Sequence, residues 1–165
     1  MRILGVDPGL ASVGYGLIVY PEGGPDQVHW GEIKTSPSQS TPERLRVIFE
    51  SLRAVIRELK PEAVSVEELF FAANMKTAIQ VAQARGAALL ATAESGVQVA
   101  EYTPLQIKKA ITGQGRASKS QVQKMVSVLL GLREIPRPDH ASDALAAALC
   151  HGHTIKADRM MRLAR

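Results

Sequence analysis

At 165 residues with 45% hydrophobic content, the chain has the length of a single domain able to bury its own core. One cysteine, Cys150, excludes a disulfide framework, no Cys/His spacing of the zinc type occurs, and no apolar run approaches the roughly 18 residues of a membrane span, so a reducing cytoplasm is the expected location. The net charge of +4 is unevenly spread: residues 104–137 carry Lys108, Lys109, Arg116, Lys119, Lys124, Arg133 and Arg137 against Glu134 alone, which reads either as a solvated helical face or as a track for a polyanion.

Three strands are expected first, over residues 2–6, 13–20 and 27–35, separated by Asp-Pro-Gly and Pro-Glu-Gly-Gly-Pro-Asp turns in an antiparallel meander. The opening apolar run meets Asp7 and Pro8 too early to be the core of an export signal. A helix follows, with Thr41 as N-cap, Pro42 at the first helical position, and Leu45, Ile48, Phe49, Leu52, Ile56 and Leu59 at helical spacing before Pro61 ends it. Residues 63–66 make a short apolar strand ahead of Glu67, as a crossover to a buried parallel strand would. A helix over 74–96 and a fifth strand over 97–102 come next. The apolar face of that helix, including Ala78, Val81 and Ala82, suits either the core or a dimer.

Thr103 to Gln106 and Ser118 to Gln121 each match a capping box, so two helices start there, on either side of the loop Gly113-Gln114-Gly115-Arg116. The second carries Val122, Met125, Val126 and Leu129 on one face and stops at Gly131. A last helix follows Pro138 to about His153, with Asp139 as its N-cap, and the basic stretch after it reads as a tail. The domain is therefore taken as 1–153, with 154–165 a basic C-terminal tail free to be disordered. The sum is an α/β chain with a mixed five-stranded sheet, three antiparallel strands followed by parallel ones, flanked by helices.

The carboxylates sit where such a sheet opens. Asp7 ends the first strand, though Asp before Pro-Gly is also ordinary turn chemistry. Glu67 terminates another apolar strand, a costly place for a carboxylate unless it meets water, a partner or a cation. His140 and Asp143, three residues apart, share one face of the last helix, Asp143 amid alanines and Leu145. A lone histidine near a helix end is more commonly a polar surface residue. Together Asp7, Glu67, His140 and Asp143 offer hard oxygens plus one imidazole, a donor set for Mg²⁺ or Mn²⁺ rather than zinc. Charge supports two ions: two divalent cations balance three carboxylates and one scissile phosphate oxygen, and such a pair suits in-line phosphodiester cleavage.

The residues also resemble a known family. Ile3-Leu4-Gly5-Val6-Asp7-Pro8-Gly9, Gly14-Tyr15-Gly16, Val66-Glu67 with Phe70, Gln83-Ala84-Arg85-Gly86, Gln106-Ile107-Lys108-Lys109, Lys119-Ser120-Gln121-Val122-Gln123 and Asp143-Ala144-Leu145-Ala146 are similar, in order and over nearly the whole chain, to RuvC resolvases. The resemblance implies a ribonuclease H-like fold and a homodimer that nicks four-way DNA (Holliday) junctions symmetrically, with Mg²⁺ or Mn²⁺, in recombination and repair. It also implies partnership with the RuvA and RuvB branch-migration proteins.

Asp7, Glu67 and Asp143 stand at the family's catalytic carboxylate positions. Where the family usually has Asp-x-x-Asp, this chain places His140, preceded by Asp139; His140 is taken as the fourth ligand, with Asp139 the alternative. Lys108 and Lys119 match basic positions near the active site, and Lys109, Arg116 and Lys124 extend the track to DNA. Phe70 matches an aromatic that stacks on unpaired bases, with core packing as its alternative role.

Two other functions remain to be weighed. Asp7-x-Gly9-x-x-x-x-Gly14-x-Gly16 also resembles the phosphate hairpin of actin-like and sugar-kinase-like ATPases, but those need two such domains. A Walker loop is excluded, since residues 113–120 lack the second glycine before the lysine. A junction-binding module without chemistry would have no use for every carboxylate.

Overall fold

The computed structural model describes residues 1–21, 25, 28–68 and 75–163. Positions 27 and 74, the expected openings of the third strand and second helix, lie outside these, as does Phe70. The strands are β1 (Arg2–Asp7), β2 (Ser12–Val19), β3 (Val28–Lys34), β4 (Ala63–Glu67) and β5 (Gln98–Tyr102), and they form a sheet in the order β3-β2-β1-β4-β5. β1–β2 and β2–β3 are antiparallel, while β1–β4 and β4–β5 are parallel. The mixed sheet follows from the connections: short turns join the first three strands, and helices return the chain to the next two.

Alternation sorts the side chains into two cores. Leu4, Val6, Val13, Leu17, Ile33, Val64 and Val66 face α1 (Thr41–Leu59) and α2 (Met75–Glu94), where Ile48, Leu52, Ile56, Ala84, Ala88 and Ala91 complete one apolar layer. The other face carries Ile3 and Ile18 and packs on α3 (Pro104–Thr112), α4 (Lys119–Leu129) and α5 (Asp139–Leu163) through Ile107, Val122, Val126, Leu145 and Leu149. Among the described residues, no helix is long and apolar enough to cross a membrane.

Three local expectations are corrected. Ser40, not Thr41, caps α1: the Glu43 carboxylate accepts from the Ser40 backbone N–H at 2.8 Å and from its hydroxyl at 2.7 Å, and Thr41 is the first helical residue. The Ser-x-x-Glu spacing explains this, because the capping carboxylate must sit three residues past the cap. Asp139 is the first residue of α5 rather than its cap, and pairs with Arg137. Finally, α5 does not stop at His153; it continues to Leu163, so the segment expected as a tail is helical through its described part. No glycine or proline follows His153 to break it.

Candidate active site

Small residues let α5 approach the sheet closely enough to build a site on it. Added Cβ atoms at Gly5 and Gly14 would collide with the Ala144 and His140 carbonyls, and one at Gly16 would strike the Leu145 side chain 2.6 Å away. Ser65, on the neighbouring strand, donates its hydroxyl to the Ala147 carbonyl at 2.8 Å. The alanine-rich buried face of α5 matches this bare strip, so backbone lies almost on backbone. The Trp30 indole N–H donates to the Arg137 carbonyl at 3.1 Å and anchors the chain just before α5 begins.

That docking brings Asp7, His140 and Asp143 together: each offers one ligand atom, and these atoms all lie within 4.8 Å of one another. His140 Nδ1 is 2.7 Å from Asp7 Oδ2, and Lys119 donates from Nζ to Asp143 Oδ2 at 2.6 Å. Glu67 stands beside rather than within this trio. The parallel register Val6↔Val66 carries on to set it next to Asp7, and it lines two clefts. One, of roughly 260 Å³, is completed by Lys108, Lys119, Asp143, Val122, Ile107 and neighbours; the other, of roughly 210 Å³, by Asp7, Pro8, Glu68, Val81, Arg85 and Pro104.

The charges are unbalanced as they stand. Burial, then Asp7 and Asp143, pushes the Glu67 carboxyl up to about 7. Burial also raises Asp143, against the pull of Lys119. The hydrogen bond to Asp7 raises His140, and the bond to Asp143 raises Lys119 despite its desolvation. Crowded carboxylates that retain protons are the signature of a site short of positive charge. The donor set of oxygens and one imidazole, with ligand atoms close enough to share an ion, fits a hard divalent cation.

Of the predicted DNA contacts, Lys108 and Lys119 line the first cleft, whereas Lys109, Arg116 and Lys124 are exposed and line neither. Phe70 lies outside the described residues. The sequence reading gave Arg85 no role, yet it faces the site. Its Nε donates to the Glu67 carbonyl at 3.3 Å, its guanidinium pairs with Glu101, and it lines the cleft with Asp7 and Glu67. A signal was available, since Arg85 is the one charge between Lys76 and Glu94.

The family model described as crossover junction endodeoxyribonuclease RuvC matches residues 3–151. The crossover junction endodeoxyribonuclease RuvC of Alkaliphilus oremlandii is 47% identical over 163 residues, 99% of each chain. Among solved structures, Thermus thermophilus RuvC superposes with a TM-score of 0.88 at 40% identity, covering 96% of this chain and 97% of that one. The same protein in complex with Holliday junction substrate gives 0.86 at 37% identity over 95% and 96%.

Proposed function

The chain belongs to the RuvC family of crossover junction endodeoxyribonucleases, and from that premise we propose that it resolves four-way DNA junctions by metal-dependent nicking at the site formed by Asp7, Glu67, His140 and Asp143. The observation that carries this reading is the meeting of Asp7 on β1 with His140 and Asp143 on α5, with Glu67 of β4 alongside and Lys108 and Lys119 bordering the cleft. Asp7, Glu67, His140 and Asp143 would hold two Mg²⁺ or Mn²⁺ ions, which supply an activated water and charge stabilisation for the departing 3′ oxygen.

The protein's own residues do the rest. Lys108 and Lys119 offer ammonium groups to the phosphate beside the scissile bond, while exposed Lys109, Arg116 and Lys124 carry the track onto the flanking backbone. Lys119 holds Asp143 at 2.6 Å until phosphate arrives and so keeps that carboxylate oriented. Arg85 fixes the backbone of Glu67 through its carbonyl. Phe70 is assigned to base stacking at the junction centre on the family resemblance.

The active unit is a homodimer joined through α2. Ala84, Ala88 and Ala91 face the core, which leaves Ile79 and Leu90 at 55% and 61% exposure, three turns apart on one stripe. Cooperation with RuvA and RuvB rests on the resemblance alone. The ATPase reading falls with family membership, and the pure binding module with the retained carboxylates.

The test is cleavage of a synthetic four-way junction against linear duplex in Mg²⁺, Mn²⁺ or EDTA, with Asp7→Asn alongside. Paired nicks that need metal and vanish in the variant, with junction binding kept, are expected. Binding without cutting under every metal would overturn the proposal.

A further inference from the structure

The turns that α5 adds after His153 leave a groove at the end of the sheet remote from Asp7. It encloses roughly 580 Å³ between α5 and the start of β1, with Ile3 and Tyr20 on the sheet side and Ile155, Met160 and Leu163 on the helix. Gly152 makes the floor: a Cβ there would strike the Tyr20 ring, so its absence lets the helix rest directly on that ring. The family match ends at residue 151, before every α5 residue that lines the groove, so this surface is not part of the machinery the family model describes.

One helical stripe supplies the α5 side, because Gly152, Lys156, Arg159, Met160 and Leu163 recur at three- and four-residue steps. Its two cations, Lys156 and Arg159, are exposed and form no ion pair among the described residues, and no acidic side chain among those residues lines the groove. Asp158 falls on the opposite face of the helix, where its charge reaches Tyr102. Met160 and Leu163 are 63% and 80% exposed, which leaves apolar surface uncovered beside the cations. A phosphate backbone needs cations in a row and has no use for an apolar wall. A second copy of this chain would set cations against their own kind across a two-fold axis. A helix with carboxylates on one side and apolar side chains on the other satisfies both halves of the groove.

We propose that this groove docks an acidic amphipathic segment of a partner protein, its apolar side chains seated between Tyr20 and α5 and its carboxylates on Lys156 and Arg159. Arg159 lies roughly 24 Å from Asp143 along α5, so the partner and a DNA junction can be held at the same time.

Fluorescence anisotropy with the full-length protein tests this, using a fluorescein-labelled synthetic peptide of about 14 residues with leucines on one helical face and glutamates on the other. It should bind more tightly than its all-glutamate counterpart and than a counterpart with glutamine for every glutamate, and an unlabelled single-stranded oligodeoxynucleotide should not displace it. Lys156→Glu/Arg159→Glu should weaken it about 10-fold or more, and Met160→Gln about 3-fold. Arg46→Glu/Arg53→Glu, the same change of net charge on α1 across the sheet, should alter binding less than about 2-fold. The groove variants should cleave junctions at the wild-type rate. Peptide binding is read without cleavage, so a failure of the metal-site reading would leave it untouched. An all-glutamate peptide that binds as tightly, or displacement by DNA, would make the surface a plain anion track and overturn the proposal. Unchanged binding in Lys156→Glu/Arg159→Glu would place the peptide elsewhere and overturn it, as would no binding at all. Tighter binding in Glu22→Gln/Asp26→Asn would make the chain's own acids the occupant, with the same result.

Discussion

Glu67 is where protonation, stability and chemistry meet. Burial, with Asp7 and Asp143, pushes its carboxyl from 4.5 to about 7, so between those values the folded metal-free protein holds a proton that the unfolded chain has lost. Its contribution to stability is full below pH 4.5 and disappears as pH rises through about 7. Glu67→Gln should therefore raise the melting temperature of the metal-free protein at pH 8, by on the order of 2 kcal/mol of stability, leave it little changed at pH 4.5, and abolish cleavage. Thermal melts at the two pH values in EDTA check the difference; equal shifts at both would contradict it.

His140 adds a second proton. Asp7 raises its pKa, and the imidazole must be neutral to ligate. Cleavage at limiting Mn²⁺ should fall on the acid side with a slope approaching two protons, one from each group. His140→Asp should reduce that slope toward one and extend activity to lower pH. A pH–rate profile unchanged by the substitution would remove His140 from the ligand set.

At the scale of elements, the contact between α5 and the sheet decides whether the site exists. A methyl at Gly5 would meet the Ala144 carbonyl, which is backbone and cannot rotate away, so Gly5→Ala must lift α5 off β1. The expected cost is about 3 kcal/mol, read from urea unfolding, with Mn²⁺ affinity falling as His140 and Asp143 move together. Affinity kept despite the lost stability would show that the methyl is accommodated without carrying His140 and Asp143 away from Asp7.

This contact also marks the limit of what the sequence discloses. Alternating strands, capping boxes at Thr103 and Ser118, and strand-end carboxylates were legible because each is a local pattern. The dense apolar face of α5 was visible as alanines, but the glycines that receive it lie more than a hundred residues upstream, and their purpose appears only in the register. The turns of α5 after His153 present no buried apolar face to mark them, and the absence of a glycine or proline was the one local sign that the helix continues. Arg85 escaped for the same reason as the glycines: its neighbours are set by crossover geometry, which leaves no spacing to read.

For the whole molecule, the proposed homodimer would coordinate two cuts. Ile79 and Leu90 from each of two protomers would bury four side chains, each contributing about 1.5–3 kcal/mol before the costs of association. Two glutamates there would oppose their own copies across a two-fold interface and split the pair. Ile79→Glu/Leu90→Glu should be monomeric by light scattering and should keep wild-type Mn²⁺ affinity, since neither residue lines the clefts. Its products on a supercoiled plasmid that extrudes a cruciform should differ. A first nick releases the supercoiling that holds the cruciform open, so the second strand is cut only if the second site is already in place. Wild type should yield linear plasmid and the variant nicked circles. Linear product from a proven monomer would mean that one site cuts both strands in turn, and the proposed α2 dimer would have no part in symmetry.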